Sequence, residues 1–158
     1  MVVKSTNRRN PPMSKVRGII AVAVFGLVFA GYASSQQERW NELNTRVFAL
    51  YQEGNYREAA GVAQQALAVA EETFGSEYLA VAQSMNNLAE LYRIQGMYAE
   101  PEPLYGRALA IVEKTSGTDD ATVATLLENL AVCYGKVGRE DQSKRLHELG
   151  KRIRATNR

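Results

Sequence analysis

Matching residues recur at a spacing of 42 on both sides of one central segment, residues 81–112, and no other feature of this 158-residue chain narrows its fold as far. Val81, Ala82, Asn87, Leu88, Ala89, Tyr92 and Gly96 return downstream as Val123, Ala124, Asn129, Leu130, Ala131, Tyr134 and Gly138. Upstream, Gly54, Tyr56, Glu58, Ala66, Leu67 and Ala68 anticipate Gly96, Tyr98, Glu100, Ala108, Leu109 and Ala110. Glu71, Thr73 and Gly75 anticipate Glu113, Thr115 and Gly117 in the same way. Such a period implies an array of supersecondary units, each burying its apolar face against a neighbour.

Within the unit the pattern is helical. Val81, Met85, Leu88 and Tyr92 follow at spacings of four, three and four, which places them on one helix face. Leu104, Ala108 and Ile111 form the partner stripe. Ala89 and Ala108 are small enough to let two helices approach closely, and Gly96 supplies a left-handed residue to end the first helix. Pro101 and Pro103 fit the first turn of the second helix, where the missing amide proton has no intrahelical partner. A propeller blade has a similar length but requires period-two alternation, which is absent here.

These residues carry a resemblance. The run NNLAELYRIQGMYAEPEPLYGRALAI resembles a tetratricopeptide repeat, in the 42-residue form typified by kinesin light chain. The shared features are Asn-Leu-Ala, a Tyr three residues later, Gly closing the first helix, Tyr after the turn and Ala-Leu late in the second. Armadillo and HEAT repeats lack the Gly-x-Tyr turn and the Ala-Leu ending. The resemblance implies an all-α fold, a right-handed α-solenoid of about three helical hairpins over 38–154, with repeats near 38–76, 77–118 and 119–154 and a basic tail at 155–158. The outer repeats depart from the pattern. Arg46, Val47 and Leu50 replace Leu, Ala and Tyr in the first, and Ser143, His147 and Gly150 replace Ala, Tyr and Ala in the third. The family's Gly-Pro-Asp-His-Pro junction is kept at neither inter-repeat turn.

Residues 1–35 have another character. Lys4, Arg8, Arg9, Lys15 and Arg17 precede the uncharged run GIIAVAVFGLVFAGYA at 18–33, the layout of an export signal. Small residues at 31–35 suit cleavage, and translation from Met13 gives a conventional leader. The alternative is an uncleaved signal anchor, since residues 34–37 lengthen the apolar stretch toward a span. Either route places the repeats outside the cytoplasm, in the periplasm or an equivalent compartment, or tethers them to the membrane. Without the leader the chain has fourteen basic and seventeen acidic side chains, so the overall +2 is misleading.

Along the array, the first helix is expected from about 38 to 52 with Trp40, Leu43, Val47 and Leu50 inward, after a polar joint at 34–37. The second is expected from about 57 to 73 on Val62, Ala66 and Val69. Ser76 or Glu77 is expected to start the third helix, and the 116–120 turn, with Asp119 and Asp120, to cap the fifth. The last helix, near 139–154, carries a narrow stripe of Leu146, Leu149 and Ile153.

Nothing in the sequence forms a catalytic constellation. His147 has no second metal ligand at suitable spacing, and no phosphate loop, nucleophile elbow or paired-Cys motif is present. Cys133, the only cysteine, is expected to be a buried apolar residue. The expectation is therefore a non-enzymatic module without cofactor or metal, binding a protein or peptide and no small-molecule substrate. The resemblance implies that first-helix residues off the packing stripe line a concave groove: Gln83, Asn86, Asn87, Glu90, Arg93 and Ile94, then Thr125, Glu128, Asn129, Val132 and Lys136. Asn44, Thr45, Phe48 and Tyr51 join them from the first repeat. Asn pairs with peptide backbone, and Arg93 or Lys136 with a carboxylate. Thr45 stands where the chaperone-binding carboxylate clamp has Asn. A further expectation is that basic residues from Lys144 to Arg158 meet an acidic partner; nucleic acid is disfavoured because so short a tail neutralises few phosphates.

Overall fold

In the computed structural model, residues 13–157 are described, with side chains from residue 31 onward except Ala33. Six α-helices follow one another among the described residues: α1 (Met13–Gln52), α2 (Tyr56–Phe74), α3 (Leu79–Ile94), α4 (Pro101–Ser116), α5 (Ala121–Lys136) and α6 (Glu140–Thr156). The chain divides into two units, one ending at Ser35 and one beginning at Gln36. The apolar leader expected at 1–35 lies, in its side chains, almost wholly outside the described residues. Among those described, no helix is long and apolar enough to cross a membrane.

From Gln36 onward the helices pair as three hairpins, residues 36–52 of α1 with α2, α3 with α4, and α5 with α6. The expected polar joint at 34–37 is helical instead. Its Ser and Gln residues include no Gly or Pro, so nothing there terminates a helix.

Each hairpin turn repeats the same chemistry. Met97 N–H donates to the carbonyl of Tyr92 (3.0 Å) and Gly96 N–H to that of Arg93 (3.0 Å), the paired bonds of a Schellman ending. Asn55 to Leu50 and Arg139 to Tyr134 reproduce the longer bond at 2.9 and 2.8 Å. Gly96 closes this turn at φ 77°, where a Cβ is strained. The turns between repeats use another geometry: Gly117 has φ 92° and ψ 163°, a region that is essentially glycine-only. Pro101 does open α4, and it is buried. The helix therefore begins three residues later in the repeat than α2, which starts at Tyr56, the counterpart of Tyr98.

The caps differ from expectation at one junction. Tyr78 precedes α3 with no side-chain cap bond, and Glu77 instead accepts from Lys114 at 2.9 Å, joining that turn to α4. Asp120 does cap α5, accepting from Thr122 N–H at 2.6 Å, and hydrogen bonding from the side chain and then the backbone of Thr122 holds its carboxyl below the ordinary range.

One core runs through the array in two adjoining clusters. Val47, Leu50, Ala59, Val62, Ala63 and Leu88 seal the first hairpin onto the second. Val81, Met85, Tyr105, Ile111, Val123 and Leu126 seal the second onto the third. Cys133 is buried in this second cluster, and burial pushes its thiol up. The small residues are what permit the approach: Ala89 and Ala108 are fully buried at the helix crossing.

The terminal hairpin explains the departures in repeat 3. A Cβ on Gly150 would lie 2.9 Å from Glu128 Cγ and 3.1 Å from the Ala124 carbonyl, so α6 sits closer to α5 than alanine allows. His147 is exposed, while its counterpart Tyr105 is fully buried between repeats. Leu149, expected in the core stripe, is 37% exposed, and Gly150 and Ile153 make the contact instead. Ser143 donates to the Ala131 carbonyl at 2.7 Å. Glu102 ties α4 to this hairpin: it accepts from Arg139 (2.6 Å) and the Tyr134 hydroxyl (2.7 Å), with Arg139 lying 3.9 Å over the Tyr134 ring.

Two pairs of glycine substitutions test this backbone assignment. Gly61 and Gly106 lie mid-helix, exposed and with nothing within 4 Å of an added Cβ. Gly61→Ala and Gly106→Ala are expected to stabilise by about 0.5–1 kcal/mol. Gly96→Ala and Gly117→Ala are expected to destabilise by about 1–3 kcal/mol, Gly117→Ala the more. Urea unfolding of the four variants gives both the signs and the order.

Candidate functional site: the clefts between first helices

A cleft of about 230 Å³ lies between α1 and α3. The α1 wall is Asn44, Val47, Phe48 and Tyr51, and the α3 wall is Asn86, Asn87, Glu90 and Leu91. The helical period produces this split. On each helix the core-facing positions alternate with positions turned toward the neighbouring first helix, which take polar or aromatic residues. Phe48 is 64% exposed and Tyr51 37%. Tyr51 meets Tyr56 edge to face at 5.5 Å, which holds its ring at the rim.

The amides are already organised. Asn87 Nδ2 donates to Asn44 Oδ1 at 3.3 Å, and Asn44 Nδ2 donates to the Trp40 carbonyl at 2.8 Å. This chain fixes both side chains before any ligand arrives. Asn86 Oδ1 is buried and has no hydrogen-bond partner among the described residues. Thr45 is exposed and donates to the Asn41 carbonyl of its own helix at 2.9 Å.

The charged members are placed differently from the sequence expectation. Arg93 does meet a carboxylate, but an internal one: Nε and a terminal nitrogen both donate to Glu90, at 2.8 and 2.5 Å. The Glu90 bond raises the guanidinium's pKa further above its usual value. Neither residue therefore offers a free charge to the cleft. Thr125 and Glu128 are engaged as well, because Arg154 reaches across from α6 to donate to the Glu128 carboxylate (2.8 Å twice) and to Thr125 Oγ1 (3.1 Å). Asn129 is half-buried and lines neither of the clefts described. Lys136 is exposed and has no ion-pair partner among the described residues. Ile94 is half-buried, and Val132 is exposed.

A second cleft, of about 400 Å³, opens between α3 and α5. Leu79 is its exposed apolar wall, the buried Ala82, Val112 and Leu126 lie at its floor, and Gln83 and Asn86 lie along one side. Sequence reasoning identified Gln83 and Asn86 as groove residues but missed the space behind them. Its signal was there in the small residues Ala82 and Ser116, which fill less volume than their counterparts in the first repeat.

The basic cluster of α6 is partly spent. Arg154 is committed to Glu128, and Lys151 pairs with Glu148 at 3.3 Å. Among the described residues there is no group of His, Cys, Asp or Glu able to hold a metal ion.

With the architecture in place, the class of protein is defined: stacked helical hairpins with a 42-residue period. Family models of the tetratricopeptide repeat match residues 41–100 and 81–121, together just over half of the chain. The chain belongs to the tetratricopeptide repeat family. Among solved structures it is similar to BtubC (BKLC) from P. vanneervenii, at 26% identity and TM-score 0.70, over 74% of this chain and 46% of that one. A Podosopora anserina protein named for kinesin light chain, with nearly identical TPR-like repeats, matches at 24% identity and TM-score 0.68, over 76% of this chain and 57% of that one. The TPR domain of Arabidopsis FLU matches at 16% identity and TM-score 0.69, over 77% of this chain and 98% of that domain. The chain thus spans about half the length of the first two. No curated protein matches it in sequence. Repeats of this family generally serve as scaffolds that bind protein partners.

The Glu128–Arg154 pair gives a test by pH. The Arg154 bond holds the Glu128 carboxyl below its ordinary range. Its contribution to stability is therefore full above the unfolded carboxylate value and disappears as pH falls through the lowered folded value. Glu128→Gln is expected to lower the Tm slightly at pH 7, and the difference from the parent should close on acidification below pH about 4. Thermal unfolding of both proteins across that range reads the effect.

Proposed function

We propose that the array is a non-catalytic binding module that holds an extended peptide segment of a partner protein along α1 and α3. The observation that supports this reading is the pre-ordered Asn87–Asn44–Trp40 chain beside an exposed Phe48. An amide that accepts and donates suits a peptide backbone, and a solvent-facing aromatic at the same cleft suits an apolar side chain of that peptide. Because Arg93 and Glu90 neutralise one another, recognition rests on backbone pairing and ring contact more than on ligand charge. The binding energy then has little salt dependence, unlike capture of an acidic partner by the basic α6.

Selection of a displayed random-peptide library on the full chain supplies a ligand whose affinity is then measured. Phe48→Ala combined with Asn87→Ala is expected to weaken the selected peptide at least about tenfold, the effect of losing one buried contact of about 1.4 kcal/mol. Gln65→Ala, exposed on α2, should leave it unchanged. Equal binding by the double variant and the parent overturns the assignment.

A second reading makes the chain a membrane-anchored assembly subunit outside the cytoplasm. Its support is the long basic segment ahead of the uncharged apolar run at 18–33. Intact mass of the protein recovered from cells decides between retention and cleavage. A mature terminus near Ser34 or Gln36 removes the anchor.

A further inference from the structure

One stripe on the second helices is open to solvent in all three repeats, and the third repeat fills it with different chemistry. At successive spacings of four and three residues, repeat 1 has Gly61, Gln65 and Ala68 there, and repeat 2 has Pro103, Arg107 and Ala110. The same positions on α6 carry Arg145, Leu149 and Arg152, and every one of these residues is exposed. In repeat 2 the middle residue serves the array, since Arg107 pairs with Glu71 of α2 at 2.7 Å. Its counterpart Leu149 cannot, and Glu113, the counterpart of Glu71, makes no ion pair among the described residues. Neither Arg145 nor Arg152 has a side-chain hydrogen bond or ion pair among the described residues either. The carboxylates within helical reach do not neutralise them. Glu148 is bonded to Lys151 at 3.3 Å, and Asp141, four residues ahead of Arg145, makes no ion pair with it.

We propose that the Arg145–Leu149–Arg152 stripe docks an acidic amphipathic helix of a partner protein, one that presents a carboxylate on each side of an apolar residue. Residues at these spacings lie on one helix face, and seven residues of helix set the two arginines about 10 Å apart along the axis. A guanidinium holds a carboxylate through paired N–H donors. Leu149, 37% exposed between the two, gives the contact an apolar centre. An apolar residue laid over it excludes water from both ion pairs, which strengthens them. A solvated end of the array calls for charge at these positions, and a leucine between two unpaired arginines adds nothing to that purpose. The stripe does not suit a second copy of itself, because a two-fold axis through Leu149 sets arginine against arginine. The charge that complements it is therefore carried by a different protein.

The test uses the full chain and a labelled helical peptide that carries Glu-Ala-Ala-Ala-Leu-Ala-Ala-Glu on an otherwise alanine and glutamine background, with fluorescence anisotropy as the readout. Saturable binding that weakens with added salt is expected, and the same peptide with Gln for both Glu should not bind. Arg145→Gln combined with Arg152→Gln is expected to weaken binding at least about tenfold, and Leu149→Ser at least about fivefold. Lys144→Gln, about 100° round the helix from Arg145, should leave it within about twofold of the parent. All three sets of side chains are exposed, so native helicity and Tm are expected in each variant. Absence of saturable binding overturns the proposal, and so does parental affinity in the double-arginine variant or in Leu149→Ser. A loss in Lys144→Gln as large as that in the double-arginine variant overturns it too, since the attraction is then general charge. A twenty-base oligothymidylate that binds as tightly as the peptide and is indifferent to Leu149→Ser makes the face a polyanion site instead. The outcome is separable from peptide capture at the α1–α3 cleft, because Phe48→Ala/Asn87→Ala should bind this acidic peptide as the parent does.

Discussion

A two-helix hairpin has one apolar face more than it can cover by itself, and every other feature of this chain follows from that shortage. The first helices of the second and third repeats, α3 and α5, are buried on one side by their own partners and on the other by the preceding second helix, so Val81, Met85 and Leu88 are covered only because hairpins are stacked. The close approach this requires explains the alanines at the crossings, and the need to reverse direction tightly explains the glycines between helices. Folding free energy in such an array is distributed over neighbour contacts, and no single repeat holds the core.

Each junction solves the same packing problem with different side chains. The first uses an aromatic pair and a hydrogen bond, Trp40 with Phe74 and Ser84. The second is also tied by the Glu102, Tyr134 and Arg139 group, where the guanidinium and phenol together hold the carboxyl below its ordinary range. At the end of the array, Arg154 takes the place that Val112 has one repeat earlier, and it pairs with Glu128 where Asn86 stood. An apolar stacking contact has become a solvated ion pair. The Arg154 side chain is 42% exposed, so an arginine suits a position where a valine would face water.

The groove residues show how tertiary contacts redistribute roles that look equivalent in sequence. Arg93, Glu90, Thr125 and Glu128 all lie on first helices and off the packing stripe, as Asn86 and Asn87 do. Only the last two face a cleft without being neutralised by an ion pair. Arg93 and Glu90 are three apart on one helix and reach each other directly, whereas Glu128 is reached from 26 residues away.

The sequence by itself determined the repeat, the bounds of α2 and α6 to within a few residues, the turn glycines and the buried position of Cys133, because these follow from local periodicity and backbone stereochemistry. It also marked Asn86 and Asn87 as lying off the packing stripe. Only the tertiary structure decided that Leu149 faces water, that Arg154 occupies Thr125 and Glu128, and that a cleft opens between α3 and α5 beside Gln83 and Asn86. Those outcomes depend on distances between residues tens of positions apart, set by how closely Gly150 lets α6 approach α5 and by how much volume each junction must fill. Periodicity says which face a residue is on; packing says what is already there.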